Sequence, residues 1–198
     1  VGLRLEEEVK VLSGFLENPK RPLVVIIGGA KVETKLPLIE KMRALADYVL
    51  VGGKLPLEVR SATHSTSSGR EFEVRSQDEK VIIADLIPDG TDITVESVRR
   101  FIEVINKAAT IVWNGPLGVV QSSKLKVQSS EDTERGTREV AEAIINSPAY
   151  KIVGGGDTID YLQRLGVIDK FDFVSTGGGA MLAFLSGEKL PGLEALTT

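Results

Sequence analysis

The sequence repeats one local pattern: a short apolar run, a turn that contains glycine, and then a stretch with helical spacing. Six apolar runs are predicted as strands, and they lie at Leu23–Ile27, Tyr48–Val51, Val81–Ala84, Thr110–Trp113, Tyr150–Val153 and Phe171–Val174. Strands that are apolar throughout are typical of a parallel sheet buried on both faces. The pattern therefore predicts an α/β fold of three layers, with a six-stranded parallel sheet and helices on both faces.

Glycine-bearing turns follow most of these runs. They are Gly28-Gly29, Gly52-Gly53, Asn114-Gly115-Pro116, Gly154–Gly156 and Gly177–Gly179. Glycine lets the backbone bend tightly and approach a ligand closely. Because ligands of such sheets bind beyond the carboxyl ends of the strands, we expect the turns to converge on one site. The prediction is a three-layer, Rossmann-like domain with a ligand site at that edge of the sheet.

Composition limits the classes of function. The 198 residues, 42% of them hydrophobic, are enough for one domain with a core. A net charge of −4 gives no sign of a nucleic-acid or membrane partner, and the lack of cysteine excludes disulfides and thiolate metal sites. No apolar run could span a bilayer and no signal peptide is visible, so we expect a cytoplasmic protein. The chain begins with Val1, which we interpret as a sign of a fragment or processed product.

One turn carries polar residues that point to an anion. Gly154-Gly155-Gly156 is followed by Asp157, Thr158 and a helical pattern. A helix N-terminus behind a glycine turn presents free N–H groups and a partial positive charge, which favour phosphate. Asp157 fits such a site where magnesium lies between its carboxylate and phosphate oxygens. The alternative is that Asp157 only caps the helix, as aspartate often does.

Two lysines follow the first turn. Lys31 and Lys35 are four residues apart, so they lie on one face of the predicted helix start. Two cations at a helix N-terminus oppose its dipole, and a bound anion removes that conflict. The alternative is that both side chains extend into solvent. Their place behind a strand-end glycine pair favours a role in phosphate binding.

Absent motifs count against two common classes of protein. Neither Gly28-Gly29 nor Gly154–Gly156 leads into Gly-Lys-Ser/Thr at the spacing of a P-loop NTPase. A dinucleotide dehydrogenase is disfavoured because Ile159 interrupts the G-x-G-x-x-G pattern and no acid follows the second strand to hold a ribose. His64, the one histidine, lies in a polar stretch and is interpreted as solvated.

Four motifs, in order and context, resemble the phosphoglycerate kinase family, specifically its C-terminal, nucleotide-binding half. They are GGAKV at 28–32, WNGPLGV at 113–119, GGGDT at 154–158 and STGGGA at 175–180, and the ending Leu190-Pro191-Gly192 also resembles the family. The resemblance covers nearly the whole chain, and four ordered motifs are more specific than one glycine run. It assigns residues 1–17 to an inter-domain helix and 18–198 to a nucleotide-binding domain.

The resemblance implies reversible, magnesium-dependent phosphoryl transfer between 1,3-bisphosphoglycerate and ADP, which gives 3-phosphoglycerate and ATP in glycolysis. It implies that Lys31 stabilises the phosphoryl group in flight, that Lys35 grips nucleotide phosphate and that Asp157 holds the metal. Nucleotide-binding roles are implied for Gly28, Gly29, Gly52, Gly53, Lys35, Asn114, Pro116, Gln121, Gly155, Gly156, Asp157 and Thr158. Catalytic roles are implied for Lys31, Lys35, Gly155, Gly156, Gly178 and Gly179, since positioned cations and N–H groups stabilise a phosphoryl group in transfer.

The sequence departs from the family pattern near the nucleoside. The usual Phe-Glu pair after the fourth strand is Val120-Gln121 here, so we expect Gln121 to contact the ribose hydroxyls without a charged acceptor. Lys54, Leu55 and Pro56 replace a glycine and a Met-Ala pair near the expected adenine pocket.

The basic patch for 3-phosphoglycerate and the catalytic arginine of the family's N-terminal half have no counterpart in this sequence. We therefore expect a nucleotide domain cut from a two-domain enzyme. Its expected partners are ADP or ATP and the missing N-terminal domain, with no nucleic acid or membrane, and the chain is expected to be a monomer. It should bind nucleotide without turning over alone, because domain closure positions the two substrates. The alternative is a stand-alone, non-catalytic module that binds nucleotide or phosphate.

Overall fold

The computed structural model describes residues 18–30, 35–57, 79–120, 133–175, 177 and 181. Within these ranges six strands form one parallel sheet, and they are β1 (Leu23–Ile27), β2 (Tyr48–Val51), β3 (Val81–Ile83), β4 (Thr110–Asn114), β5 (Tyr150–Gly154) and β6 (Phe173–Ser175). The strand order is β3-β2-β1-β4-β5-β6, so the progress of the chain across the sheet reverses between β1 and β4. The predicted parallel sheet is confirmed, and its order opens a crevice at the carboxyl ends of β1 and β4.

Helices cover both faces of the sheet. The α-helices whose two ends lie within the described ranges are α1 (Leu36–Leu45), α2 (Val95–Ile105), α3 (Arg135–Asn146) and α4 (Gly156–Arg164). The core on one face includes α1, and the core on the other face includes α2, α3 and α4. The predicted three-layer architecture is therefore confirmed. Within the described ranges, none of the helices has both the length and the apolar composition that crossing a membrane requires.

The alternation of side chains along β1 explains its continuous apolar run. Val24 and Ile26 join the core under α2, α3 and α4, whereas the other three side chains of β1 join the core under α1. All five are buried, because β1 lies between β2 and β4 and has helices on both sides. A strand in this position contacts apolar residues on both faces, so neither face of it is polar.

Local signals set the ends of several helices. Thr94 precedes α2, and its Oγ1 accepts a hydrogen bond from the Ser97 N–H at 3.2 Å. Gly166 follows α4 with φ of +70°, the left-handed conformation that commonly ends a helix. Pro37 lies in the first turn of α1, where its missing N–H has no helical partner to lose.

The last strand differs from its predicted position. It covers Phe173–Ser175 instead of starting at Phe171, and Phe171 and Asp172 separate it from a short 3₁₀ helix at Ile168–Lys170. Phe171 is buried in the core, where its ring lies 6.3 Å from that of Trp113, centroid to centroid. The apolar character of Phe171 thus reflects core packing and not strand pairing.

The turns that follow β1 and β4 approach each other more closely than side chains would allow. A Cβ placed on Gly28 would lie 2.3 Å from the Pro116 carbonyl oxygen, and one placed on Gly115 would lie 2.2 Å from the Gly28 carbonyl oxygen. Gly115 also has φ of +93°, a conformation that other L-residues rarely adopt. The packing of the two turns therefore requires glycine at both positions.

Gly28→Ala should destabilise the fold, because its Cβ overlaps a backbone carbonyl that cannot rotate away. We expect a loss of at least about 2 kcal/mol, seen as a fall in Tm of about 2–4 °C per kcal/mol in thermal denaturation. Gly156→Ala is the matched control, because a Cβ on Gly156 meets no atom within 4 Å. Equal Tm values for Gly28→Ala and the wild type would contradict the close approach of the turns.

Candidate functional site

A cleft of about 470 Å³ opens beyond the carboxyl ends of β1, β2 and β4. The turns after these strands form its floor, the segment after β4 forms one wall, and α4 forms the other. Its lining includes Gly29, Ala30, Gly53, Lys54, Pro116, Gly118, Val119, Val120, Asp157, Asp160, Tyr161, Gln163 and Arg164. The volume lies in the range of small-molecule sites, and the position matches the crevice expected where the strand order reverses.

Backbone hydrogen bonds join the three turns of the floor. The Gly29 N–H donates to the Pro116 carbonyl at 2.7 Å, and the Gly53 N–H donates to the Leu117 carbonyl at 3.1 Å. The Lys54 N–H in turn donates to the Gly29 carbonyl at 3.1 Å. These bonds cross between strands that are far apart in sequence, so the floor is one connected backbone surface. The sequence analysis expected the turns after β1, β2 and β4 to converge, and they do.

Lys35 points its side chain into this floor. Its backbone is the N-cap of α1, and its Nζ donates to the carbonyl oxygen of Gly28 and to Asn114 Oδ1, the latter at 3.3 Å. The ammonium therefore lies between the ends of β1 and β4, and the alternative that Lys35 extends into solvent is wrong. Both of these acceptors are neutral oxygens.

The N-terminus of α4 is exposed beside the cleft. Its N-cap is Gly155, which has φ of +93° and lies beside the Asn114 side chain. No side chain caps the helix, and Gly156, its first residue, has open space where a Cβ would be. Asp157 is the second helical residue, is exposed and lines the cleft. Asp157 is therefore not the cap of α4, and it is one of the residues that line the cleft.

Thr158 has a structural partner. Its buried Oγ1 accepts a hydrogen bond from the Gly115 N–H at 2.9 Å. This bond ties α4 to the turn after β4. Gly115 belongs to that turn and also contacts the turn after β1. The hydroxyl keeps a proton of its own to donate. The structure places Thr158 beside the site, with one clear role in holding the floor.

Thr137 holds the wall after β4, and the sequence analysis did not identify it. Its Oγ1, in the first turn of α3, accepts hydrogen bonds from the N–H groups of Leu117 and Gly118 at 3.0 and 3.1 Å. Nearby, the Thr133 hydroxyl donates to the Val119 carbonyl at 2.7 Å. No local pattern marks Thr137, because its partners lie 19 and 20 residues away along the chain.

Asp92 is a buried carboxylate that the sequence analysis also missed. It is 1% exposed, and its two oxygens accept from the N–H groups of Ile93 and Gly136, each at 2.8 Å. The Gly136 N–H belongs to the first turn of α3, where the helix dipole favours a negative charge. Asp92 therefore fixes the start of α3, and with it the position of Thr137.

The turn at residues 89–91, which contributes Thr91 to the cleft, is ordered by its own side chains. The hydroxyl and the N–H of Thr91, a cleft residue, both donate to the Asp89 carboxylate, at 2.6 and 2.9 Å. The hydroxyl bond is the larger cause and the N–H bond the second cause of the lowered pKa of Asp89. The Val119 N–H then donates to the Thr91 carbonyl at 2.7 Å, so this turn supports the wall after β4.

An ion pair connects α4 with the residue before α3. Arg164 Nη2 lies 2.7 Å from Glu134 Oε1, and the guanidinium lies 5.1 Å from the centroid of the Tyr161 ring. Arg164 and Tyr161 both line the cleft. The sequence analysis did not predict the ion pair, because it depends on how α3 and α4 pack.

Several predicted site residues lie outside the described ranges. They are Lys31, Gln121, Gly178 and Gly179, and the predicted inter-domain helix at 1–17 and His64 also fall there. Of the others, Gly28, Gly29, Gly52, Gly53, Lys35, Asn114, Pro116, Gly155, Gly156, Asp157 and Thr158 are brought together around the floor of the cleft. The described residues contain no cluster of three or more His, Cys, Asp or Glu that could hold a metal by itself.

Thr158→Val should lower stability, because the buried Gly115 N–H loses its acceptor while the volume of the side chain is kept. We expect a cost of about 1–3 kcal/mol in the free energy of unfolding, measured by chemical denaturation. Thr158→Ser keeps the hydroxyl and loses only a methyl group, so it should be the milder change. A serine variant less stable than the valine variant would contradict the role of this hydrogen bond.

Comparison with known proteins agrees with this geometry. The family model for phosphoglycerate kinase matches residues 1–70 and 54–188. A phosphoglycerate kinase of Roseiflexus sp. (strain RS-1) is 35% identical over 98% of this chain and 56% of its own length. One of Mycoplasmoides gallisepticum is 33% identical over 99% of this chain and 55% of its own length. The chain thus spans about half the length of the curated relatives it matches.

Solved structures give the same result. The structure of phosphoglycerate kinase from Coxiella burnetii superposes with a TM-score of 0.76 and 31% identity, covering 98% of this chain and 57% of that one. The enzyme from Pyrococcus horikoshii gives a TM-score of 0.77 and 28% identity, covering 97% and 56%. Because both the sequence motifs and the three-layer fold match, this chain belongs to the phosphoglycerate kinase family.

Proposed function

We propose that this chain binds the magnesium complex of ADP or ATP in the cleft. In the reaction of the family it would serve the nucleotide side of reversible phosphoryl transfer between 1,3-bisphosphoglycerate and ADP. The observation that carries the proposal is the open N-terminus of α4, where Gly156 leaves room and Asp157 faces the cleft. Free N–H groups at a helix N-terminus are a ready site for phosphate oxygens.

Positive charge and N–H groups meet beside the cleft, at the ends of β1, β4 and β5. Lys35 Nζ lies against Asn114, and Gly155 at the start of α4 packs beside the same asparagine. A phosphate chain placed there would receive the lysine charge from one side and the helix dipole from the other. These groups are held by hydrogen bonds before any ligand arrives, which is the preorganisation that phosphoryl transfer needs.

Asp157 fits a magnesium site of the kind that phosphate completes. Magnesium in nucleotide sites is held by one or two carboxylates together with phosphate oxygens, so a cage of three protein ligands is not required. Asp157 supplies an exposed carboxylate in the first turn of α4, next to the place proposed for phosphate. When bound, the metal would neutralise charge on the phosphate oxygens.

The rest of the reaction is carried over from the family as a proposal. The chain spans 56% of the length of the Roseiflexus relative. We assign the site described here to the nucleotide side of the reaction. We propose that phosphoglycerate binding, and the closure that positions both substrates in line, are supplied by the family's other half. For the 198 residues by themselves the proposed activity is nucleotide binding without turnover.

Replacing Asp157 tests the proposal. Wild-type protein should bind ADP more tightly with magnesium than with EDTA in calorimetric titrations. Asp157→Asn should lose that difference, at a cost to MgADP binding of about 1.5–3 kcal/mol, as for other contacts between charged groups. Asp169→Asn, an exposed acid outside the cleft, is the matched control. Equal magnesium dependence in wild type and Asp157→Asn would refute the metal role, and a wild type that does not bind MgADP would refute the proposal as a whole.

Gly156→Ala tests the phosphate position separately. The added methyl group meets no protein atom within 4 Å, so Tm should be unchanged, whereas a phosphate over the helix N-terminus would collide with it. We expect MgADP binding at least about tenfold weaker, a difference of about 1.4 kcal/mol. Gly166→Ala, at the other end of α4, should lower Tm through its positive φ but leave binding unchanged. Normal binding by Gly156→Ala would place the phosphates elsewhere.

A further inference from the structure

The cleft has two ends of different chemistry. The end at β5 and α4 holds Asp157 and the open helix N-terminus. The end at β2 holds Gly53 and Lys54. The strands β1 and β4 lie between β2 and β5, so the two ends are about 14 Å apart at ordinary strand spacing. A nucleotide whose phosphates lie at α4 would therefore extend its base toward β2.

The β2 end is built for a flat, partly apolar group. The Gly53 N–H donates to the Leu117 carbonyl, which holds the segment after β4 against the β2 turn. That segment continues into Val119 and Val120, and both side chains line the cleft, with Val119 44% exposed. Apolar walls with a few polar groups are what bind and orient small molecules of this kind.

Lys54 is the polar group at this end. It is exposed and lines the cleft, and within the described part of the chain its ammonium has no hydrogen bond or ion pair. The other cation of the lining, Arg164, is paired with Glu134 and stacked on Tyr161. Lys54 is thus a cation available to a ligand, and it follows β2, which lies three strand spacings, about 14 Å, from β5.

A lysine ammonium discriminates between purines because it has three donors and no acceptor. Guanine and hypoxanthine carry a carbonyl oxygen at C6, which accepts from lysine, whereas adenine carries an amino group there, which also donates. The N7 acceptor is common to all three bases and gives no preference. At the N7–C6 edge, where lysine makes its commonest specific contact with guanine, the group at C6 is therefore the one that Lys54 would distinguish.

We infer that Lys54 is a specificity-determining residue that makes this cleft prefer 6-oxopurine nucleotides, such as GDP and IDP, over ADP. The inference rests on the proposed nucleotide site, and on the phosphates lying at α4. A lysine that gripped phosphate instead would strengthen binding of every nucleotide equally, and it would have to lie at the α4 end of the cleft. Its place in the turn after β2 favours contact with the base.

Calorimetric titrations with MgADP, MgGDP and MgIDP test the inference on the full chain. IDP is included because it has the C6 oxygen of GDP without the 2-amino group. Wild-type protein should bind GDP and IDP about fivefold or more tightly than ADP, as one hydrogen bond to a base edge provides. Lys54→Met keeps the length of the side chain without its charge and should bring the three affinities to within about twofold. Lys107→Met, an exposed lysine outside the cleft, is the matched control and should keep the preference.

Each outcome has a distinct meaning. Loss of the preference in Lys54→Met alone supports the inference. Wild-type binding of ADP as tight as that of GDP and IDP overturns it while leaving the proposed nucleotide site intact. Equal weakening of all three nucleotides in Lys54→Met also overturns it and assigns Lys54 to phosphate. Failure of all three to bind the wild type overturns both the inference and the proposed function.

Discussion

The site depends on the contact between two bare backbone turns, those after β1 and β4. Gly28 and Gly115 have no side chains. The Gly115 carbonyl oxygen therefore lies close to where a Cβ of Gly28 would be, and the Gly28 carbonyl oxygen lies close to where a Cβ of Gly115 would be. This contact occurs where the strand order reverses, so it closes the floor of a crevice that would otherwise open between the two strands. The Lys35 ammonium donates to the Gly28 carbonyl and to Asn114, and so it lies across the same contact.

Buried polar side chains hold the surrounding loops by accepting from backbone N–H groups. Thr158 accepts from Gly115, Thr137 accepts from Leu117, and Asp92 accepts from Gly136. A buried N–H without an acceptor costs free energy, so each of these bonds selects one position for its loop. The walls of the cleft are therefore fixed before a ligand binds, and the residues that line the cleft remain available to contact it.

The periodicity of the sequence was sufficient to predict the layers, because apolar strands and amphipathic helices leave their patterns in consecutive residues. It failed at Phe171, an apolar residue next to the last strand, which joins the core through Trp113 and not through strand pairing. Asp92, Thr137 and Glu134 could not be identified from the sequence. Their partners are brought to them by packing, and a single polar residue in a loop has no local signature of such a role.

The sequence by itself determined the α/β class, the parallel sheet, the glycine turns at the strand ends and the resemblance to phosphoglycerate kinases. All of these follow from the order and spacing of residues along the chain. Only the tertiary structure decided that Asp157 is not the cap of α4, that Lys35 turns inward, and that Lys54 faces the cleft. The direction of a side chain depends on the space and the partners that other segments leave to it, and those segments meet only when the sheet is assembled.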